Sequence, residues 1–133
     1  MDPVKIVACY VNGTLRKGFT QNFSPTRDRF HLYPTATLAG EGIEIALPEL
    51  KAIFFVRDFA GDRQYGERKA YRDGERPAGQ KVEVTFRDGE VLVGSTLGYN
   101  PSRPGFFLFP ADPQTNNLRV FVVSTAVRSV RYL

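Results

Sequence analysis

The sequence predicts an all-β chain built from two copies of one five-stranded module, and three observations lead there. Lys5–Pro34 aligns without a gap on Lys81–Pro110, with identities at Lys5/Lys81, Gly13/Gly89, Gly18/Gly94, Thr20/Thr96, Pro25/Pro101, Arg27/Arg103, Phe30/Phe106, Leu32/Leu108 and Pro34/Pro110. About two such coincidences would arise by chance. Polar and apolar residues alternate with the period of a half-buried strand. The aromatic content is Phe and Tyr without Trp, and Gly and Pro recur along the chain.

Each element follows in turn. Val82, Val84 and Phe86 alternate with Lys81, Glu83, Thr85 and Arg87, a strand with one buried and one wet face. Asn12-Gly13 and Asp88-Gly89 come next, residues that tolerate positive φ in a tight hairpin turn. Gly18 and Gly94 lie inside the second strand and predict a bulge or bend. The segment Thr-x-x-(Phe/Tyr)-x-Pro-x-Arg then forms a proline-stiffened loop before a short strand carrying Phe30 and Leu32, or Phe106 and Leu108. After one inserted residue the match resumes, with Ile43-Glu44-Ile45 on Val120-Phe121-Val122 and Leu50–Val56 on Val127–Leu133. Leu47-Pro48-Glu49 and Ser124-Thr125-Ala126 are three-residue links between the last two strands. Strands this short, bent and closely joined predict a closed small barrel in each copy.

The expected organisation is a first barrel at 1–56, a charged connector at 57–80 and a second barrel at 81–133. The connector is rich in arginine and reads as an exposed, irregular segment, with Tyr65 and Tyr71 spaced to tack it onto a barrel and a helical turn at Glu67–Arg72 as the lesser alternative. Two modules of this size each sit near the lower limit for burying a core and need to lean on each other.

Composition narrows the function classes. No apolar segment approaches a membrane helix, and the N-terminus lacks a signal-like apolar region, so a cytoplasmic protein without membrane attachment is expected. Cys9 is the only cysteine, which excludes an internal disulfide or a thiolate metal cluster and predicts a small strand residue. A formal charge of +4 and a pI near 9.4 favour anionic partners. One histidine, one cysteine and carboxylates scattered over turns do not compose an active site, and no phosphate loop or metal-ligand spacing occurs. The chain is expected to be no enzyme, with no cofactor and no metal. His31, between Phe30 and Leu32, reads as a surface or interface residue.

Arg27 and Arg103 keep a cation in the same loop of both copies. Either each guanidinium caps carbonyls of its own loop or pairs across the barrel, or the two form a pseudo-symmetric anion-binding pair with Phe23, Tyr99 and Phe106 as stacking platforms in place of core residues. Lys51, Arg128 and Arg131 read as a wet strand face that would extend a basic patch.

The order of strand, Asp-Gly hairpin, glycine-bent strand, loop, two strands and a three-residue link before the last strand resembles the Sm-like, or SH3-like, small barrel of the Hfq type. The closest stretch is VFVVSTAVRSVRYL at the end of the second copy. Where Hfq proteins carry a Lys-His pair for uridine, this chain has Ser124-Thr125 and Pro48-Glu49. The whole chain is also similar to an uncharacterised two-repeat bacterial domain associated with PilZ signalling proteins, through Gly105–Pro113, Asn116-Asn117 and Arg119–Val123.

PilZ domains bind cyclic di-GMP through Arg-x-x-x-Arg upstream of (Asp/Asn)-x-Ser-x-x-Gly. Here Arg68 with Arg72, and Arg72 with Arg76, satisfy the first element, and Asn100, Ser102 and Gly105 the second. Guanidiniums grip phosphate bidentately and stack on guanine, so these residues, with Arg103 and Arg27, are the candidate ligand-binding set. The expected function is a non-enzymatic binding or regulatory module acting through a protein partner. Cyclic di-GMP reception and binding of RNA or single-stranded nucleic acid are the alternatives, and a homo-oligomer is compatible with any of these.

Overall fold

A computed structural model of the chain describes residues 2–60 and 70–133. The fold is all-β. The first half contributes β1 (Val4–Tyr10), β2 (Leu15–Thr20), β3 (Arg29–Leu32), β4 (Ile43–Ala46) and β5 (Leu50–Val56). The second contributes β6 (Gln80–Phe86), β7 (Val91–Thr96), β8 (Gly105–Pro110), β9 (Asn117–Val123) and β10 (Val127–Tyr132). Eight strands form one antiparallel sheet in the order β10-β6-β7-β8-β9-β5-β1-β2, and β3 pairs with β4. A bridge between Phe19 and Tyr33, with backbone bonds of 2.7 and 2.8 Å, ties that hairpin onto β2.

The local chemistry is the same in both halves. At the first hairpin the Tyr10 N–H donates to the Thr14 carbonyl and the Gly13 N–H to Tyr10. At the second, Phe86 donates to Glu90 and Gly89 to Phe86. Only the glycines take up positive φ, +90° at Gly13 and +94° at Gly89. Asn12 and Asp88, expected to share that conformation, do not. Their side-chain oxygens instead accept from the N–H two residues on, Thr14 and Glu90, each at 2.9 Å. Gly18 and Gly94 serve close approach: a Cβ at Gly18 would lie 2.6 Å from the Tyr33 carbonyl oxygen, and at Gly94 2.2 Å from that of Phe109. The links Leu47–Glu49 and Ser124–Ala126 are single 3-10 turns.

Among the described residues the expected closure of each half on itself is not seen. Among the described residues no ladder joins β4 to β5 or β9 to β10; the second edge of β5 is occupied by β9, in a register that includes Ala52↔Val122, Ile53↔Phe121 and Phe54↔Val120. This pairing puts β5 and β9 in the middle of the sheet with both faces covered, which is why Leu50–Val56 is nearly continuously apolar instead of alternating. One face serves a core of Ile53, Phe55, Phe121 and Val123 against Ile6, Phe30, Leu32 and Ile45. The other serves a core of Ala52, Val120 and Val122 against Val82, Val84, Phe86 and Leu108. Each half therefore completes the other's core. A fully buried side chain such as Phe121 contributes about 1.5–3 kcal/mol by its removal from water.

Lys51 belongs to this junction and not to a wet face. Its side chain is almost fully buried, with the ammonium 2.7 Å from Asp88 Oδ2, hydrogen-bonded to Glu90, and 4.7 Å from the Phe86 ring centroid. The wet face expected there is covered by the second half's hairpin, which packs on β5.

Candidate functional site

An apolar groove lies where the end of the connector meets β7 and β8. Gly74, at φ +83°, turns the chain so that the Glu75 N–H reaches the Arg72 carbonyl at 3.1 Å, while the Arg72 N–H donates to the Glu75 carboxylate. The turn brings Tyr71, Arg76 and Pro77 to one wall of a groove of about 420 Å³ whose other wall is Leu97, Phe109 and Pro110. Leu97 is 72% exposed, a large apolar side chain held in water beside an aromatic neighbour. Lys81 on β6 places its ammonium 4.8 Å from the Tyr71 ring centroid, so Tyr71 does tack the connector onto the second half. The turn at Glu67–Arg72 is described only from Ala70, without helix. Tyr65 and Arg68 lie outside the described residues.

The other candidate residues are distributed as follows. Arg72 is exposed on the turn, and Arg76 is exposed on the groove wall. Asn100 and Ser102 hold their own loop: the Ser102 N–H and hydroxyl donate to Asn100 Oδ1 at 2.9 and 2.7 Å. The first half makes an equivalent turn from Ser24 and Thr26, with the Thr26 N–H donating to Ser24 Oγ at 3.3 Å. Turn chemistry thus accounts for the Asn-x-Ser pattern. Gly105 is buried at the start of β8. The Arg76 groove is built on the far end of that strand, four residues along, or about 13 Å at strand rise.

Arg27 and Arg103 occupy matching positions on the two turns, their N–H groups bonded to Ser24 and Asn100 carbonyls at 3.2 and 3.1 Å. Both side chains are exposed, and among the described residues neither guanidinium has a partner, so the carbonyl-capping role is not seen. The aromatics weighed as stacking platforms are core: Phe106 is buried against Tyr99, and Phe23 packs between Phe30 and Phe121 at 5.5 and 5.1 Å. The basic run is engaged elsewhere. Lys51 is in the junction, Arg128 donates to the Arg87 carbonyl at 2.9 Å, and Arg131 pairs with Glu83 at 3.0 Å.

One cation escaped the sequence reading. Arg119 stacks its guanidinium against Phe55 at 4.4 Å and Phe107 at 4.5 Å, and burial lowers its pKa from the ordinary arginine value. Its position opposite Phe55 depends on the β5–β9 register, for which no local pattern exists. His31 Nδ1 lies 3.0 Å from the Asn22 amide. Among the described residues no group of three His, Cys, Asp or Glu converges as metal ligands. Cys9 is half-buried on β1, and burial pushes its thiol pKa up, away from a reactive thiolate. No helix of the described residues is long and apolar enough to cross a membrane.

Over residues 2–133 the chain matches a family described as a family of unknown function, DUF6982. No curated protein and no solved structure matches it.

Proposed function

We propose that this chain, which belongs to the DUF6982 family, is a non-enzymatic binding module acting through protein contacts in the cytoplasm. Its partner lays an extended apolar segment into the groove between the connector and β7–β8. The observation that carries this reading is the exposure of Leu97 in an aromatic- and proline-walled groove. Grooves of this composition suit extended peptides, whose apolar side chains fill the slot while flanking polar groups set orientation. Arg76 on the rim supplies that orientation for a partner carboxylate, in keeping with the formal charge of +4. As part of the same proposal, the two halves are a tandem duplication of one Sm/SH3-like module opened at the β5–β9 junction. The matching hairpin bonds and close-approach glycines support it.

A cyclic di-GMP receptor would instead bring Arg72 and Arg76 onto the Asn100–Gly105 turn, and a nucleic-acid binder would need its basic run unengaged. The test is selection of peptides from a random library on the intact chain, followed by titration of labelled winners into wild type, Leu97→Asp and Arg76→Glu. Binding at about micromolar Kd, weakened about tenfold or more by either substitution, is expected. Labelled cyclic di-GMP and single-stranded RNA run in parallel. Salt-resistant dinucleotide binding abolished by Arg72→Ala, or RNA binding that falls steeply with salt, would replace this reading.

A further inference from the structure

Arg119 is a half-buried cation without a counter-charge. It stands on β9 opposite Phe55, beside the first core. Its guanidinium carbon lies 4.4 Å from the Phe55 ring centroid and 4.5 Å from that of Phe107, and the two rings are inclined at 56° with their centroids 5.9 Å apart. Cation–π attraction holds the guanidinium on this inclined pair but does not neutralise it. Among the described residues the guanidinium makes no hydrogen bond and no ion pair, and burial is the only influence that moves its pKa. Charges withdrawn from water are ordinarily paired.

The fold does not require a cation there. The residue of the first half that aligns with Arg119 is Gly42, where a Cβ would lie 2.7 Å from Tyr33 Cζ, so the first half closes the corresponding space with a ring. The frame around Arg119 is apolar: Leu118 and Val120 flank it on β9, and Phe55 and Phe107 lie beneath it. A stacked guanidinium keeps its N–H fork in its own plane, clear of the rings, and that fork matches the two oxygens of a carboxylate. One positive charge in an apolar frame suits one negative charge on an apolar body. A phosphate dianion would bring a second charge that these residues do not meet.

We propose that Arg119, with Phe55 and Phe107, forms a binding site for a monocarboxylate carried on an apolar body. Arg119 and Phe107 are each half-buried, so fork and ring are both reachable from water, while Phe55 is 4% exposed and backs the site. The body packs on Phe107 and the carboxylate takes the fork. Such a group occurs free, as an arylacetic acid, or in a protein, as an aspartate flanked by apolar residues. The site is separate from the groove and stands or falls apart from it.

The experiment follows the arginine Nε–H and phenylalanine ring signals of the intact chain by NMR while phenylacetate, or its uncharged isostere phenylacetamide, is added. With phenylacetate, the Arg119 Nε–H and Phe107 ring signals are expected to move along one saturating curve with a Kd of about 1–10 mM. With phenylacetamide the shifts are expected to be at least about fivefold smaller. Arg27 and Arg103, exposed on their turns, serve as internal controls and are expected to move less. A second pair, acetyl-Phe-Asp-Phe-amide and acetyl-Phe-Asn-Phe-amide, separates the sources. Tighter binding of the aspartyl peptide than of phenylacetate assigns a protein carboxylate, and the reverse assigns a free acid. Arg119→Gln is expected to abolish the difference between acid and amide at the Phe107 ring. An equal response to acid and amide, or shifts at Arg27 and Arg103 as large as at Arg119, would overturn the proposal. Both comparisons are made on wild type and hold whether or not the variant folds.

Discussion

Lys51 joins β5 to the second half's hairpin through two carboxylates and an aromatic ring. Read with Arg128 and Arg131 as part of a wet strand face, it lies buried between Asp88, Glu90 and the Phe86 ring, because a hairpin almost forty residues away covers that face. Lys51→Ala is expected to cost about 1–3 kcal/mol in urea unfolding, and Lys51→Met less, since Met keeps the aliphatic body. The ion pair carries its own pH signature. Lys51 hydrogen-bonds Asp88 and holds that carboxyl below its ordinary 3.8, so its contribution is present above pH 3.8 and is lost as pH falls through the lower folded value. Burial lowers the Lys51 pKa, but the bonds to Asp88 and Glu90 raise it further, to a net value above 10.5. That contribution is present below pH 10.5 and is lost as pH rises through the folded value. The stability gap between wild type and Lys51→Met should therefore be flat between these limits and close beyond each. Gly94 was legible as a special position but not its reason: Gly94→Ala sets a Cβ against the Phe109 carbonyl, and a loss of about 2 kcal/mol or more is expected in the same assay.

Elements made by short-range chemistry were readable, and those made by long-range pairing were not. The Asx-Gly hairpins, the proline-stiffened loops and the three-residue links each depend on a few neighbouring residues, and each is found where the pattern puts it. The order of β5 beside β9 depends on residues more than sixty positions apart, and the double-faced apolar run Leu50–Val56 was its only trace. The groove was half legible. Tyr71 was expected to dock the connector, but the wall contributed by Leu97 and Phe109 follows from where β7 and β8 cross. Because Leu97 is largely in water, Leu97→Asp is expected to leave the unfolding midpoint unchanged within about 0.5 kcal/mol while weakening peptide binding. A large stability loss would make Leu97 a packing residue and remove it from the site.

At the scale of the molecule, the two cores share their central strands, so the halves are expected to unfold as one unit. The first core contains Phe121 and Val123, and the second contains Ala52 and packs against Phe54. A fragment of residues 81–133 would uncover the buried Phe121 and Val123, each worth about 1.5–3 kcal/mol, and the half-buried Phe107 beside them, a loss comparable to the total stability of a small domain. Circular dichroism is expected to show the fragment unfolded and the whole chain melting in a single transition. In that cooperative frame the connector's end is held against β6, β7 and β8, and the groove is a fixed feature of the surface. The most direct measurement of its role is amide chemical-shift mapping of the intact labelled chain during titration with a library-selected peptide. Shifts confined to Tyr71–Ala78, Leu97 and Phe109–Pro113 are the predicted result. Shifts centred on Arg27, Arg103 or the Asn100–Gly105 turn, with the groove silent, would contradict it.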